Sequence, residues 1–339
     1  MGSLSSRAVP PGPDGGETGM TVRKLSVVAS ALALLGVASA QNSACNANTD
    51  YAIGLHGGAY TNGENISQQQ MTYIRELAAQ VNRRLQNGAT AVDAVELAVG
   101  AMEESGLYNA GRASITNQEG YVENDASIMD GSDLNAGAVG SLINTRSPVH
   151  AARLVMDKSR HVMVVGDRGE AYVRELGAEE APKGWFLKAG SEKDEHGTVG
   201  AVALDRCGNI AAATSTGGYD AKVPGRLGDV PVIGAGTYAD NMGAAVSATG
   251  HGEWFIRHAA AHSISLLVEG GLSVQDASEA VLERMARKNG LGAVITLDRQ
   301  GNFAAPHSTQ GIIHAFASDD TQAYSKKTSA EPVGRANQE

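Results

Sequence analysis

The chain has 339 residues, a formal net charge of −10 and 42% hydrophobic residues, enough apolar content for a large core and too little basic footprint for a nucleic-acid or anionic-membrane surface. Aromatics make up only 4% while glycine reaches 42 residues, so packing rests on Ala, Val, Leu and Ile, with many tight turns or close backbone approaches. Small molecules and short peptides remain as the natural partners.

Residues 1–19 are set aside from the fold, Met20 being the more natural start. Residues 23–40, RKLSVVASALALLGVASA, have a basic start, an apolar run and the small-residue ending Ala38-Ser39-Ala40, the order of a cleavable secretory signal. Residues 1–40 are therefore expected to be leader and secretory signal, and the mature protein is expected to begin near Gln41. Met1-Gly2 with Ser6 also fits a myristoylation pattern, which conflicts with export. No later stretch is long and apolar enough to span a membrane. Two cysteines, Cys45 and Cys207, allow one bridge at most, and Asn65-Ile66-Ser67 is a glycosylation sequon.

After a polar stretch over 41–50, YAIGLHGGA reads as a buried strand ending in a glycine turn. Ser67 with Gln70 forms a capping box before apolar positions Met71, Ile74, Leu77, Ala78, Val81 and Leu85, a helix that Gly88 stops. Thr90 opens a second helix to about Glu104, with Val92, Val95, Val99 and Met102 on one face. Segments near 113–130 and 135–143 read as strands, Pro148 starts a helix over HAARLVMDK, and HVMVVG reads as a strand leading into a short helix. Residues 177–197 are polar and without period, the best linker candidate. TVGAVALD and NIAAATST then form two strands joined by Asp205-Arg206-Cys207-Gly208, and GAVITLDRQGNFAA repeats the hairpin device around Asp298-Arg299-Gln300-Gly301. Between them lie two strand-like runs and helices expected at about 252–268 and 273–288. Strands and helices in blocks on both sides of a linker point to one composite α-and-β core.

Gly197-Thr198 sits where the charged linker meets a buried strand. A glycine leaves its carbonyl exposed to the next hydroxyl, so attack by Thr198 can turn the amide into an ester that water opens. The freed α-amine, with a pKa near 7.7–8.0, can then serve as base for its own hydroxyl.

The motifs around it carry a resemblance. HGTVGAVALD, TSTGG at Thr214–Gly218, PGRLGD at Pro224–Asp229 and ATGHGE at Ala248–Glu253 resemble, in order and spacing, the nucleophile half of the plant-type asparaginase and isoaspartyl-peptidase family. HGGA at His56–Ala59, LYNAG at Leu107–Gly111, DASIMDG at Asp125–Gly131 and LNAGAV at Leu134–Val139 are similar to its first half, so the likeness covers about residues 51–315. It implies an α+β fold, the four-layer αββα sandwich of the N-terminal nucleophile hydrolases. Self-cleavage would yield an α subunit (41–197) and a β subunit (198–339), assembled as a dimer of α–β pairs. Thr198 would be the nucleophile and Thr216 the hydroxyl beside it. Thr249 and the Gly250 amide would be oxyanion donors. Arg226 would grip the substrate α-carboxylate, Asp229 and the Gly252 carbonyl its α-ammonium, and Asn109 would stand near the nucleophile. The bend over Met102, Glu103, Ser105, Tyr108, Ala110 and Arg112 resembles the family's sodium-binding loop, with Arg112 where an apolar residue is common and Ala113 where a glycine is. No cofactor is required, and a sodium held by that loop would be structural.

Three other readings compete. Gly234-Ala235-Gly236 with Ala239 fits a dinucleotide fingerprint if a helix follows. An uncleaved homologue could serve as a secreted binding protein. A glycosylasparaginase shares the export signal, although its relatives usually show Asp before the nucleophile and GNGD in the later loop, where this chain has HGTVG and GHGE.

Overall fold

Thr198 lies at the start of a strand that runs through the middle of a large sheet, and the fold is best followed outward from there. The computed structural model describes residues 50–60, 66–186, 197–328 and 333. The leader and signal over 1–40, Cys45, Asn65 of the sequon and linker residues 187–196 lie outside the described residues.

The strands are β1 (Ala52–Tyr60), β2 (Asn124–Asp130), β3 (Ala136–Leu142), β4 (Met163–Val165), β5 (Val199–Leu204), β6 (Ile210–Thr216), β7 (Thr237–Ala239), β8 (Ala244–Gly250), β9 (Gly292–Asp298), β10 (Phe303–Ala304), β11 (Gly311–Ser318) and β12 (Tyr324–Thr328). The helices are α1 (Gln68–Gln86), α2 (Ala91–Ser105), α3 (Pro148–Lys158), α4 (Gly166–Leu176), α5 (Gly252–His258), α6 (Ala260–Glu269) and α7 (Val274–Ala286). An eight-stranded sheet in the order β12-β11-β1-β5-β6-β2-β3-β4 faces a four-stranded sheet in the order β10-β9-β8-β7. β5 and β6, from beyond the linker, lie between β1 and β2, from before it, so the two stretches share one sheet.

Alternation along the strands builds three apolar layers. Ile53, Leu55, Val199, Ala201, Ala203, Ala211 and Ala213 pack with α1, α2 and α3. The opposite-facing Ala52, Val202, Leu204 and Ala212 meet Ala245, Ile295 and Leu297 of the second sheet. Ala244, Val246, Ala248 and Val294 turn outward under α6 and α7. The result is helices, sheet, sheet, helices: an α+β fold of the four-layer αββα sandwich type. By the same alternation Thr198, Gly200, Thr214 and Thr216 belong to the inter-sheet face, as do Ser247 and Thr249.

Local chemistry explains the element ends. Ser67 Oγ accepts from Gln70 N–H at 3.2 Å while Gln70 Oε1 accepts from Ser67 N–H at 2.8 Å, completing the capping box of α1. Thr90 and Ser273 cap α2 and α7 in the same one-sided way, each accepting from the N–H three residues on. The two hairpin turns converge on one device: Asp205 Oδ1 accepts from Cys207 and Asn209 N–H, and Asp298 Oδ1 from Gln300 and Asn302 N–H.

Three expectations change, and two strands went unforeseen. The strand foreseen near 113–130 begins only at Asn124, because Gly111–Ala113 close a 3-10 turn and Asn117 Oδ1 accepts from Glu119 and Tyr121 N–H, folding the segment back. The single helix foreseen over 252–268 is two, broken at Ala259 in the left-handed region (φ 44°). The linker is shorter than 177–197: Ala178 and Phe186 are buried and Glu180 bridges to Thr145. Strands β11 and β12 went unassigned in sequence, although β11 is almost wholly buried beside β1.

Candidate active site

The bond between Gly197 and Thr198 passes against the end of β1. A side chain at Gly197 would meet the Gly58 Cα at 2.7 Å and the Ala59 N at 2.9 Å, and one at Gly58, whose φ is +111°, would meet the Gly197 Cα at 2.4 Å. Two residues without side chains therefore allow two backbones to touch here. The β1–β11 pairing slips between His56 and Ala59, which turns the strand end toward this contact.

Thr198 Oγ1 donates to Thr216 Oγ1 at 2.9 Å, and the Gly218 N–H donates to the same oxygen at 3.0 Å. Thr216 closes β6 and is buried, so its hydroxyl gives the half-buried Thr198 side chain one fixed partner. Thr249, buried near the end of β8, accepts the Ala59 N–H at 3.2 Å. That leaves its own hydroxyl proton free to donate. Gly250 follows with φ 131°, ending the strand pairing opposite Gly292.

Gly252 begins α5, and a side chain there would strike Asp229 Oδ1 at 2.6 Å and Arg226 Nη2 at 3.1 Å. The loop from β6 and the end of β8 therefore converge. Arg226 is tightly enclosed: its Nε and Nη2 both donate to Glu253 Oε1, at 3.0 and 2.9 Å, and its guanidinium lies 4.3 Å from the Tyr219 ring centre. Asp229 is buried with Oδ2 unpartnered, and burial pushes its carboxyl up to about 7 despite the opposing pull of its own backbone and of Arg226. A buried carboxylate lacking a partner in the protein is a ready receptor for a cation.

Asn109 is committed to the loop after β6. Its Nδ2 donates to the Gly218 carbonyl at 2.5 Å, its Oδ1 accepts from Ile115 N–H, and its carbonyl accepts from Gly217 N–H. It braces the turn that carries the Gly218 N–H to Thr216.

In the bend after α2, Glu103 is buried and its carboxyl is pushed up to about 7 by that burial, against hydrogen bonds from Ser215 Oγ, Ser147 Oγ and Val149 N–H at 2.6, 2.7 and 2.9 Å. It clamps α2, the start of α3 and β6 together. The Arg112 guanidinium lies 5.0 Å from the Trp185 ring centre. The Glu103 carboxyl is taken up by these three donors and the Arg112 guanidinium by Trp185, so a cation at this bend would be held by backbone carbonyls of Met102, Glu103, Ser105, Tyr108, Ala110 and Arg112. The Met102 carbonyl accepts from Ser105 Oγ and the Tyr108 carbonyl from Ala110 N–H. An all-carbonyl set suits a hard monovalent cation.

Sequence reasoning did not find Glu253, Tyr219 or the charges behind the site. Asp125 is buried, pushed up to about 6 by that burial, and leaves Oδ2 unpartnered; Lys222, also buried, donates to the Glu123 carbonyl at 2.8 Å. Glu253 was legible only as the last letter of a motif. His56 Nε2 lies 2.9 Å from Ser247 Oγ, and burial holds its ring down to about 3, so it stays neutral. The dinucleotide reading fails because β7, not a helix, follows Gly236.

Two hydroxyls on adjacent strands, a third on the opposite sheet, and Arg226 with the buried Asp229 on the loop after β6 make up the candidate site. The family model described as Asparaginase matches residues 49–191 and 185–325. The chain is 42% identical over 294 residues to the isoaspartyl peptidase of Escherichia coli (strain K12), covering 78% of this chain and 92% of that protein. It is 39% identical over 281 residues to the isoaspartyl peptidase/L-asparaginase of Danio rerio (78% and 91% covered) and 41% over 273 residues to that of Mus musculus (74% and 83%). The chain belongs to the asparaginase family and is a hydrolase.

Proposed function

We propose that the protein cuts itself between Gly197 and Thr198 and then hydrolyses L-asparagine and β-aspartyl peptides with the freed Thr198. The observation that carries this reading is the Thr198 hydroxyl held at 2.9 Å by Thr216, at a glycine–threonine bond pressed against Gly58. In self-cleavage Thr198 Oγ1 attacks the Gly197 carbonyl, the C–N bond breaks in favour of an ester, and water opens the ester. The relatives' names support the substrate class.

In turnover, the Thr198 α-amine takes the hydroxyl proton as Oγ1 attacks the substrate's side-chain carbonyl. The Thr249 hydroxyl and Gly250 N–H donate to the oxyanion. The C–N bond then breaks, ammonia or the peptide's amine leaving with the proton, and water releases aspartate from the β-aspartyl ester. Arg226 binds the α-carboxylate and Asp229, with the Gly252 carbonyl, the α-ammonium. An α-linked aspartyl peptide has no free α-carboxylate to present. Kinetics on the processed enzyme test this: asparagine and β-aspartyl dipeptides should turn over while α-aspartyl dipeptides do not, and equal turnover of both linkages would reject it.

Three accompanying features belong to the same reading. A structural sodium ion bound by the carbonyl bend would raise the melting temperature in sodium over choline salts, and identical curves would discard it. A dimer of α–β pairs would show in its solution mass. Export driven by residues 23–40 would leave a secreted chain beginning near Gln41, whereas a cytosolic chain starting at Met1 or Gly2 would refute it.

A further inference from the structure

The layer between the two sheets is built largely on Ala, Val, Ile and Leu, yet a line of polar side chains crosses it below the active site. His56 Nε2 on β1 lies 2.9 Å from Ser247 Oγ on β8, which lies 2.7 Å from Thr214 Oγ1 on β6. Thr214 Oγ1 lies 2.6 Å from Thr237 Oγ1 on β7, and Thr237 Oγ1 lies 2.7 Å from Ser127 Oγ on β2. Ser127 Oγ donates to the Val230 carbonyl at 2.5 Å. All five side chains are wholly buried. We propose that this line is a directed hydrogen-bond chain that fixes the nucleophile strands against the anchoring loop, with Ser247 and Ser127 as positioning residues at its two ends. Its effect on turnover rests on the function proposed above; its direction does not.

The direction follows from counting protons. A carbonyl only accepts, and a hydroxyl has one proton to give. Ser127 gives its proton to Val230, so it accepts from Thr237. Thr237 then accepts from Thr214, and Thr214 from Ser247. With its proton on Thr214, Ser247 accepts from His56, which puts the imidazole proton on Nε2 and leaves Nδ1 bare. Nδ1 is indeed buried without a partner, and burial keeps the ring neutral at neutral pH.

Both ends of the chain meet the site. Ser247 and Thr214 stand two residues before Thr249 and Thr216 on their strands, and His56 pairs with Gly200, two residues after Thr198. The chain therefore starts about 6.6 Å, one pleat repeat, below the three site hydroxyls. Gly200 makes room for it, since a side chain there would strike both Ser247 Oγ and His56 Nε2. At the other end Val230 directly follows Asp229. Thr237 directly follows Gly236, where a side chain would meet Asp229 Oδ2 at 2.9 Å, and the Gly236 N–H donates to the Asp229 carbonyl. Ser127 and Thr237 thus hold the chain on either side of Asp229.

The chain joins β1, β2 and β6 of the large sheet to β7 and β8 of the small one. Apolar contact alone is non-directional and does not fix one sheet's offset on the other. Hydrogen bonds do, and the offset they set is the separation between Thr198 and Asp229, two groups that one substrate has to reach together.

The test combines asparagine kinetics on processed variants with 15N NMR of histidine-labelled protein. Ser127→Ala removes the donor to Val230 and should raise KM about tenfold with kcat within about twofold. Ser247→Ala cuts the chain below the nucleophile and should lower kcat about tenfold with KM within about twofold. Because either variant can also weaken the fold, Thr237→Val and Thr237→Ser are compared as well. Thr237→Val should raise KM more than Thr237→Ser, which keeps the hydroxyl; a packing role alone would favour Val, which keeps the volume. NMR should show His56, assigned by its shift in Ser247→Ala, protonated at Nε2. A His56 protonated at Nδ1, or folded Ser127→Ala and Ser247→Ala variants with wild-type kcat and KM, would overturn the proposal. If the wild type turned over neither asparagine nor β-aspartyl dipeptides, the functional reading would fall, and the tautomer would still decide the direction of the chain.

Discussion

The site has two ends built on opposite principles. At the nucleophile end every group is neutral: Thr198, Thr216 and Thr249 are hydroxyls at strand ends, fixed by backbone N–H groups of Gly218 and Ala59. At the anchoring end the groups are charged and carried by the loop after β6, where Arg226 is spent on Glu253 and Asp229 is buried without a partner on Oδ2. A neutral site can be finished before substrate arrives. The charged one is left incomplete at Asp229 Oδ2, where on the proposed reading the substrate ammonium would sit. On the proposed reading strands would set position, and the unpartnered Asp229 would set recognition.

The sharpest break in that comparison comes at the neutral end. Thr198→Ala should remain one intact chain and lose activity by about a thousandfold or more, read by gel and by asparagine turnover. Arg226→Ala attacks the charged end alone. It should lower kcat/KM on the order of 3–5 kcal/mol, a hundredfold to several thousandfold, by leaving a buried charge unpaired. Cleavage should continue normally, since that step uses no substrate. Near-normal turnover by the processed variant would mean that Arg226 does not anchor the substrate.

Asp229 connects the deficit to pH. Its carboxyl stands near 7 in the folded enzyme, raised by burial from an ordinary value near 3.8. Between those values the unfolded chain has released a proton that the native one retains, so the group costs stability as pH rises through that window. Only the ionised form can receive the ammonium. KM for asparagine should therefore fall as pH rises through about 7, and Asp229→Asn should raise the melting temperature of the free enzyme while abolishing the pH dependence of KM. A KM flat from pH 5 to 8 in wild type would remove Asp229 from the anchoring role. The smallest effect is expected at Glu253, which is partly exposed: Glu253→Gln should raise KM by up to about fivefold, within the range of a half-exposed ion pair, with kcat unchanged.

The two ends also differ in how readable they were. The passage from a charged linker into an apolar run placed Thr198 at the edge of a buried strand, and the family resemblance brought Thr216, Thr249, Arg226 and Asp229 into one expectation. The contact of Gly58 with Gly197 was invisible, because it joins residues remote in sequence through the absence of side chains. Glu253 and Lys222 were missed for a related reason: a charged residue in a polar loop reads as solvated until the fold shows what it faces. The break at Ala259 had no signal either, since neither glycine nor proline marks it and the apolar periodicity continues across it.

The central claim is that the nucleophile becomes competent only when its own amine is freed. Intact-mass measurement of the reduced, active wild-type protein tests it most directly. The account predicts two polypeptides, the second beginning at Thr198. A single uncut chain retaining full asparagine turnover would contradict it.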